Sequence, residues 1–262
     1  MVAVNSAKPV AVNAGFAPRS ERTLLQAFKC LELKRKSMHS KLWLWAECLL
    51  LFGGTPFLFY YLVTTPPAEI PIDLGFELRR SLFPLLWLIA IVAMYRYKRT
   101  YQQRIFPAMD WPDFRRRILP RFALSAIFML GVVLVLAPER LFQFPLERPR
   151  LWMLVMIFYP LFSVVPQEII FRLFFFERYA PLFKEGWPMI LASGLAFGHG
   201  HLLFNNNFAY FMSIAGGILF SITYARTRNL SLVWLEHAIY GQCVFTVGLG
   251  WYFYTGAAAA HG

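Results

Sequence analysis

Three polar clusters lie inside apolar segments in the second half of this 262-residue chain. The first contains Glu168 and Arg172, the second contains His201, and the third contains His237. Glu168 and Arg172 are four residues apart, so on a helix they share one face and can form an ion pair. A carboxylate and two imidazoles are enough to activate a water molecule and to stabilise an oxyanion. The clusters therefore predict one converging hydrolytic site.

The segments around these clusters have the composition of a membrane protein. The chain is 58% hydrophobic and 15% charged, whereas soluble domains are about 25% charged. An ionisable side chain at the bilayer centre costs about 2.5–3.5 kcal/mol on insertion scales, so it calls for a structural partner or a function. The net charge of +12 does not indicate a nucleic-acid partner, because the basic residues lie between apolar runs.

Structural explanations and other functions remain open at this stage. The Glu168–Arg172 pair can simply neutralise itself, and a histidine in a membrane helix can simply hydrogen-bond a neighbouring helix. Intramembrane Glu, His and Arg also line the ion paths of transporters. Transporters often contain inverted repeats, and we find no internal repeat in this sequence.

A helix needs about 20 apolar residues to cross the hydrocarbon of a bilayer, and the sequence contains several apolar runs near this length. These runs predict an all-α fold. The expected architecture is a multi-pass transmembrane helical bundle of about 7–8 spans with a polar intramembrane site. The fourth run carries Pro160 and Pro166, so we expect a kinked or two-part helix that continues past Glu168. The predicted segments are 41–63, 81–97, 122–137, 151–180, 187–204, 208–225 and 230–254.

The distribution of basic residues predicts the domains and the orientation. We expect a basic tail with an interfacial helix at 1–40, N-terminal spans at 41–150 and the site-bearing half at 151–255. Of the 26 lysines and arginines, 21 fall on one side of this topology. The positive-inside rule then places the N-terminus in the cytoplasm and the C-terminus outside the inner (plasma) membrane, with the lipid bilayer as a partner.

The order of the three clusters resembles the CPBP family of intramembrane proteases, which process CAAX proteins and bacteriocins and include the Abi-type members. The resemblance covers about residues 155–250. It implies a glutamate-type endopeptidase without a cofactor. Its implied substrate is a membrane-associated protein or peptide, cleaved at a C-terminal processing site or sorting tail.

The resemblance assigns roles to the first cluster, where the family has Glu-Glu-x-x-x-Arg. The first carboxylate, regarded in the family as the base, falls on Gln167, and an amide cannot accept that proton. The second carboxylate falls on Glu168 and the arginine on Arg172. We therefore expect Glu168 to be the base and Arg172 to hold its orientation.

The resemblance also assigns roles to the two histidines. His201 matches the histidine that positions the water, and His237 matches the histidine of the oxyanion hole. The family's asparagine four residues after that second histidine is Gly241 here, so Gln242 is the expected amide donor if the helix is distorted.

These departures leave three alternatives for the function. Glu168 and His201 activate the water directly, or the protein is a non-catalytic CPBP-like scaffold or immunity protein. In the third alternative, Glu168, His201 and His237 hold a zinc ion with an open fourth position. Glu236 is a substitute acid in the sequence, but it points about 100° away from His237.

Overall fold

The structure is a computed structural model that describes residues 40–64, 73–101 and 104–253. The described part is largely helical and contains no β-strand, which confirms the all-α fold class. Its contacts divide the chain into two units between Trp45 and Ala46. In the first unit only residues 40–45 are described, and they are helical. The predicted interfacial helix and nearly all of the basic tail lie outside the described residues.

Seven long helices occupy the described residues, one for each predicted segment. The helices are α1 (Ser40–Leu62, continuing to Thr64), α2 (Asp73–Tyr101), α3 (Trp111–Leu136), α4 (Pro149–Phe183), α5 (Trp187–Gly200), α6 (Asn207–Thr227) and α7 (Leu230–Val247). Helices α1, α3, α4 and α6 are long and apolar enough to cross a membrane, which supports membrane localisation. Helix α5 has 14 residues and is therefore about 21 Å long, shorter than a hydrocarbon core of about 30 Å. The count of seven or eight spans stays a prediction.

Two of the helix boundaries that differ from the predicted segments have local reasons. Helix α3 begins eleven residues earlier than expected, because the Asp110 side chain accepts a hydrogen bond from the Asp113 backbone N–H at 3.0 Å and caps the helix. Helix α7 ends at Val247, since Gly248 adopts φ 111° and a Cβ there would overlap the Arg140 carbonyl. The chain then continues as the 3₁₀ turn Leu249–Phe253.

Helix α4 passes its internal prolines Pro160, Pro166 and Pro181 without a break and so extends past Glu168, as expected. Proline has no N–H to donate, and a π-helical turn frees carbonyls that need partners in a membrane. The indole of Trp234 on α7 donates to the Pro160 carbonyl at 2.8 Å, and that of Trp87 on α2 donates to the Phe162 carbonyl at 3.0 Å. The π turns are Tyr159–Val164 and Ile169–Phe174.

Helices α5 and α6 approach closely through glycines. A Cβ on Gly217 would lie 2.9 Å from the Gly194 carbonyl oxygen, so no larger side chain fits between the two backbones without movement. This close packing also presents the Gly217 carbonyl to the site, where Arg172 donates to it at 3.0 Å.

Candidate active site

The predicted ion pair on α4 is present and fully buried. Glu168 and Arg172 have no exposed surface, and Arg172 Nε lies 3.2 Å from Glu168 Oε2. The guanidinium also lies over the Phe197 ring, 4.7 Å from its centroid. The arginine charge neutralises the carboxylate, and the Phe197 ring and the Gly217 carbonyl hold the guanidinium in place.

The other Glu168 oxygen contacts His237 on α7. Oε1 lies 2.6 Å from His237 Nδ1. Because a carboxylate only accepts, Nδ1 carries the hydrogen and donates it. The opposite ring nitrogen, Nε2, lies 3.1 Å from the Tyr159 hydroxyl, and the ring stacks on Phe220 with centroids 4.5 Å apart. The imidazole is therefore held at both nitrogens and on one face.

A cavity of about 680 Å³ adjoins this carboxylate–imidazole pair. Its polar wall includes Tyr159, Gln167, His201 and His237, so it brings together side chains from α4, α7 and the end of α5. Glu168 does not line the cavity and reaches it only through His237. The structure thus gathers the three clusters around one space.

Gln167 stands at the cavity wall with one hydrogen-bonding group unused. Its Nε2 donates to the Ser163 hydroxyl at 2.8 Å. Its Oε1 is buried and has no hydrogen-bond partner among the described residues. A buried acceptor of this kind calls for an explanation, and a reacting molecule in the cavity would provide one.

His201 follows directly after the last residue of α5 and lines the cavity. Its Nδ1 donates to the Phe197 carbonyl at 2.8 Å, so in the neutral ring Nε2 carries a lone pair. No other described residue hydrogen-bonds this ring. His199 differs, because its Nδ1 bonds the Leu195 carbonyl at 2.9 Å and the residue does not line the cavity.

Two residues singled out in the sequence do not join this site. Gln242 donates to the Met156 carbonyl at 2.8 Å and does not line the cavity. Glu236 is fully buried and forms an ion pair with Arg121 of α3, which also donates to the Thr223 hydroxyl at 2.7 Å. We call Arg121, Thr223 and Glu236 the Arg121–Glu236 cluster.

Sequence reasoning missed Tyr159. This residue begins the first π turn of α4, lines the cavity and contacts His237. A Cβ on Gly241 would overlap the Tyr159 hydroxyl. In the sequence, Tyr159 is signalled only by the glycine at position 241. That glycine indicates that another group lies beside α7 but does not identify it as Tyr159.

A metal site was the chemical alternative. Across the part of the chain that the structure describes, no group of three or more His, Cys, Asp or Glu side chains is placed to hold a metal ion. Glu168 and His237 instead contact each other directly. The zinc alternative remains a hypothesis for experiment.

Comparison with known protein families gives a match within the second half of the chain. The family model described as type II CAAX prenyl endopeptidase Rce1-like matches residues 149–242. This stretch contains every predicted site residue and confirms the resemblance drawn from the three clusters. The match supports a relation of residues 149–242 to the CAAX-type intramembrane proteases. Neither the curated proteins nor the solved structures gave a match to the chain.

Proposed function

We propose that the protein is a glutamate-dependent intramembrane endopeptidase, as opposed to a zinc-dependent one. The Rce1-like domain supports peptide hydrolysis in a membrane. The observation that carries the proposed mechanism is the 2.6 Å contact between Glu168 and His237 in the wall of a cavity that His201 also lines. A buried carboxylate that fixes the orientation of an imidazole is a recurrent arrangement in hydrolases.

The water-activating groups in this proposal are Gln167 and His201. A water molecule donates one hydrogen to Gln167 Oε1 and the other to His201 Nε2, which are both acceptors. His201 takes the proton as the water oxygen bonds the peptide carbonyl carbon. When the C–N bond breaks, His201 returns the proton to the leaving nitrogen, and the products are a carboxyl and an amine. General bases of this kind contribute about 10²–10⁴-fold in rate.

Glu168 is a positioning residue in this mechanism. Both of its oxygens are engaged, one by Arg172 and one by His237, and neither faces the cavity. The carboxylate therefore acts through His237, whose ring, when protonated at Nε2, places positive charge beside the developing oxyanion on the side of the carbonyl opposite the water. This role differs from the direct base role that the sequence suggested for Glu168.

The cavity wall supports a membrane-anchored protein or peptide as the substrate. Phe128, Leu154 and Phe162 line the cavity and are also exposed on the outer surface of the helices. In a bilayer such side chains face acyl chains, so an apolar substrate segment can reach the cavity between α3 and α4. We propose cleavage of a C-terminal tail in the plasma membrane, with the N-terminus of the enzyme in the cytoplasm.

Membrane peptidomes test the proposed function. Cells carry wild type, Glu168→Ala, His201→Ala or His199→Ala at equal expression. His199→Ala is the matched control, because it removes an imidazole two residues away that does not line the cavity. We expect one precursor to accumulate uncut in the Glu168→Ala and His201→Ala cells only.

Two results would contradict this proposal. Identical peptidomes in all four strains would favour the non-catalytic scaffold, which the amide at Gln167 makes the second candidate. Loss of cleavage on chelation, with recovery on adding zinc alone, would favour the metal-dependent alternative.

A further inference from the structure

We propose that the Tyr159 hydroxyl is a catalytic group that donates a hydrogen bond to the oxyanion beside His237. The proposal rests on the proposed function, since an oxyanion forms only if a carbonyl is attacked in this cavity. Tyr159 lines the cavity, and its hydroxyl lies 3.1 Å from His237 Nε2. Its hydroxyl is therefore in direct contact with the imidazole that the proposed mechanism places on the oxyanion side.

The space around the hydroxyl is available only because residue 241 is glycine. A Cβ at 241 would overlap the hydroxyl and the adjoining ring carbons of Tyr159. Gly241 lies four residues after His237, one helical turn further along the same face of α7. The Tyr159 hydroxyl thus occupies the position that a side chain one turn from His237 would otherwise take.

The hydrogen-bonding capacity of the three groups fits the role. The His237 ring donates through Nδ1 to Glu168, so in its neutral form Nε2 has no hydrogen to offer an oxyanion. A hydroxyl has one hydrogen and two lone pairs. When Nε2 takes up a proton from solvent before the attack and keeps it throughout the reaction, it donates to the Tyr159 oxygen, and the hydroxyl hydrogen is left for the oxyanion. Glu168, His237 and Tyr159 then form one chain of hydrogen bonds that ends in the cavity.

Packing alone does not account for the hydroxyl. The Tyr159 ring packs edge-on against Phe245, with centroids 5.3 Å apart, and phenylalanine would preserve this contact. Compared with phenylalanine, the hydroxyl adds the polar contact with His237 and fills the space beside Gly241.

Kinetics of purified enzyme in lipid vesicles test the assignment. The probe is a membrane-anchored fluorogenic peptide that carries the cleavage site of the precursor found in the peptidome. We expect Tyr159→Phe to lower kcat by about 10²-fold, the effect of losing one oxyanion donor. KM should change by less than about 3-fold, since the lost bond forms only in the transition state.

A pair of double variants separates chemistry from packing. Tyr159→Ala opens the space beside residue 241, and Gly241→Asn then places an amide donor there, whereas Gly241→Leu fills it with a side chain of similar shape and no donor. We expect Tyr159→Ala/Gly241→Asn to recover at least about 10-fold in kcat over Tyr159→Ala. The matched Tyr159→Ala/Gly241→Leu variant should recover none.

The outcomes distinguish this inference from the proposed function. An active wild type with a Tyr159→Phe variant of similar kcat would overturn the Tyr159 assignment alone. Equal recovery by asparagine and leucine at 241 would also overturn it, because it would show that the space needs only to be filled. A wild type that cleaves nothing would remove the proposed function, and the Tyr159 role with it.

Discussion

Glu168 and Glu236 are two fully buried carboxylates on neighbouring helices, and each is paired with an arginine. Their second partners differ. Glu168 contacts an imidazole in the wall of the cavity, whereas Glu236 does not line the cavity, and neither does its partner Arg121. A buried charge in a membrane helix is therefore an incomplete sign of a catalytic site. The second partner of the buried carboxylate, an imidazole at the cavity for Glu168 and a contact away from the cavity for Glu236, is what distinguishes the two.

The Arg121–Glu236 cluster joins helix α3 to helices α6 and α7. Only 17% of the apolar stretch of α3 is buried, compared with 39% for α4. Helix α3 therefore has few buried side chains with which to pack against the other helices. The ion pair to Glu236 on α7 and the Thr223 hydroxyl on α6 fix its position.

The largest effect should come from Glu168→Gln. The amide keeps the shape of the side chain but loses the charge that pairs with Arg172 and orients His237. We expect the rate of cleavage to fall by on the order of 10²-fold or more. A rate assay on protein matched for folded fraction measures this loss. Activity of Glu168→Gln within a few-fold of wild type would show that Glu168, like Glu236, is not needed for cleavage.

The matched change, Glu236→Gln, should affect stability and leave chemistry intact. It leaves Arg121 without its charge partner, which costs about 1–3 kcal/mol in the free energy of unfolding. Titration with a denaturing detergent in mixed micelles measures this cost, and the kcat of the folded fraction should stay within about 2-fold. Replacing both partners, by Arg121→Met with Glu236→Leu, should restore part of the lost stability. A dead but stable Glu236→Gln variant would show that the two clusters share one function.

Gln167→Glu sharpens the comparison by adding a carboxylate that, unlike Glu168 and Glu236, lies directly at the cavity wall. A carboxylate can accept the proton that the amide cannot. We expect a rise in kcat of up to about 10-fold, measured with the same vesicle assay. A fall in kcat would mean that the neutral amide is needed beside His201.

The smallest effect should come from Gln242→Leu. The amide donates to the Met156 carbonyl within the helix packing. Its loss should cost about 1 kcal/mol in stability, again by detergent titration, with kcat unchanged. A large loss of kcat at wild-type stability would return Gln242 to the oxyanion site, where the sequence placed it.

Local patterns made the helices and the Glu168–Arg172 pair predictable from the sequence. Apolar length defines a membrane helix, and a spacing of four residues puts two side chains on one face. The contact between Glu168 and His237 was not predictable, because it joins residues 69 positions apart through the packing of two helices. Tyr159 was hidden for the same reason, since its role depends on a missing side chain on another helix.

The two indoles that meet the freed carbonyls of α4 set conditions for assembly in the membrane. Trp87 precedes α4 in the chain and Trp234 follows it, so during synthesis the Phe162 carbonyl can find its donor before the Pro160 carbonyl can. Until α7 is inserted, α4 carries an unpaired carbonyl at Pro160, next to Tyr159, which contacts His237 in the folded protein. Insertion of α7 therefore supplies the missing donor to α4 and brings His237 to Glu168 in the same step, so a chain without α7 has neither contact.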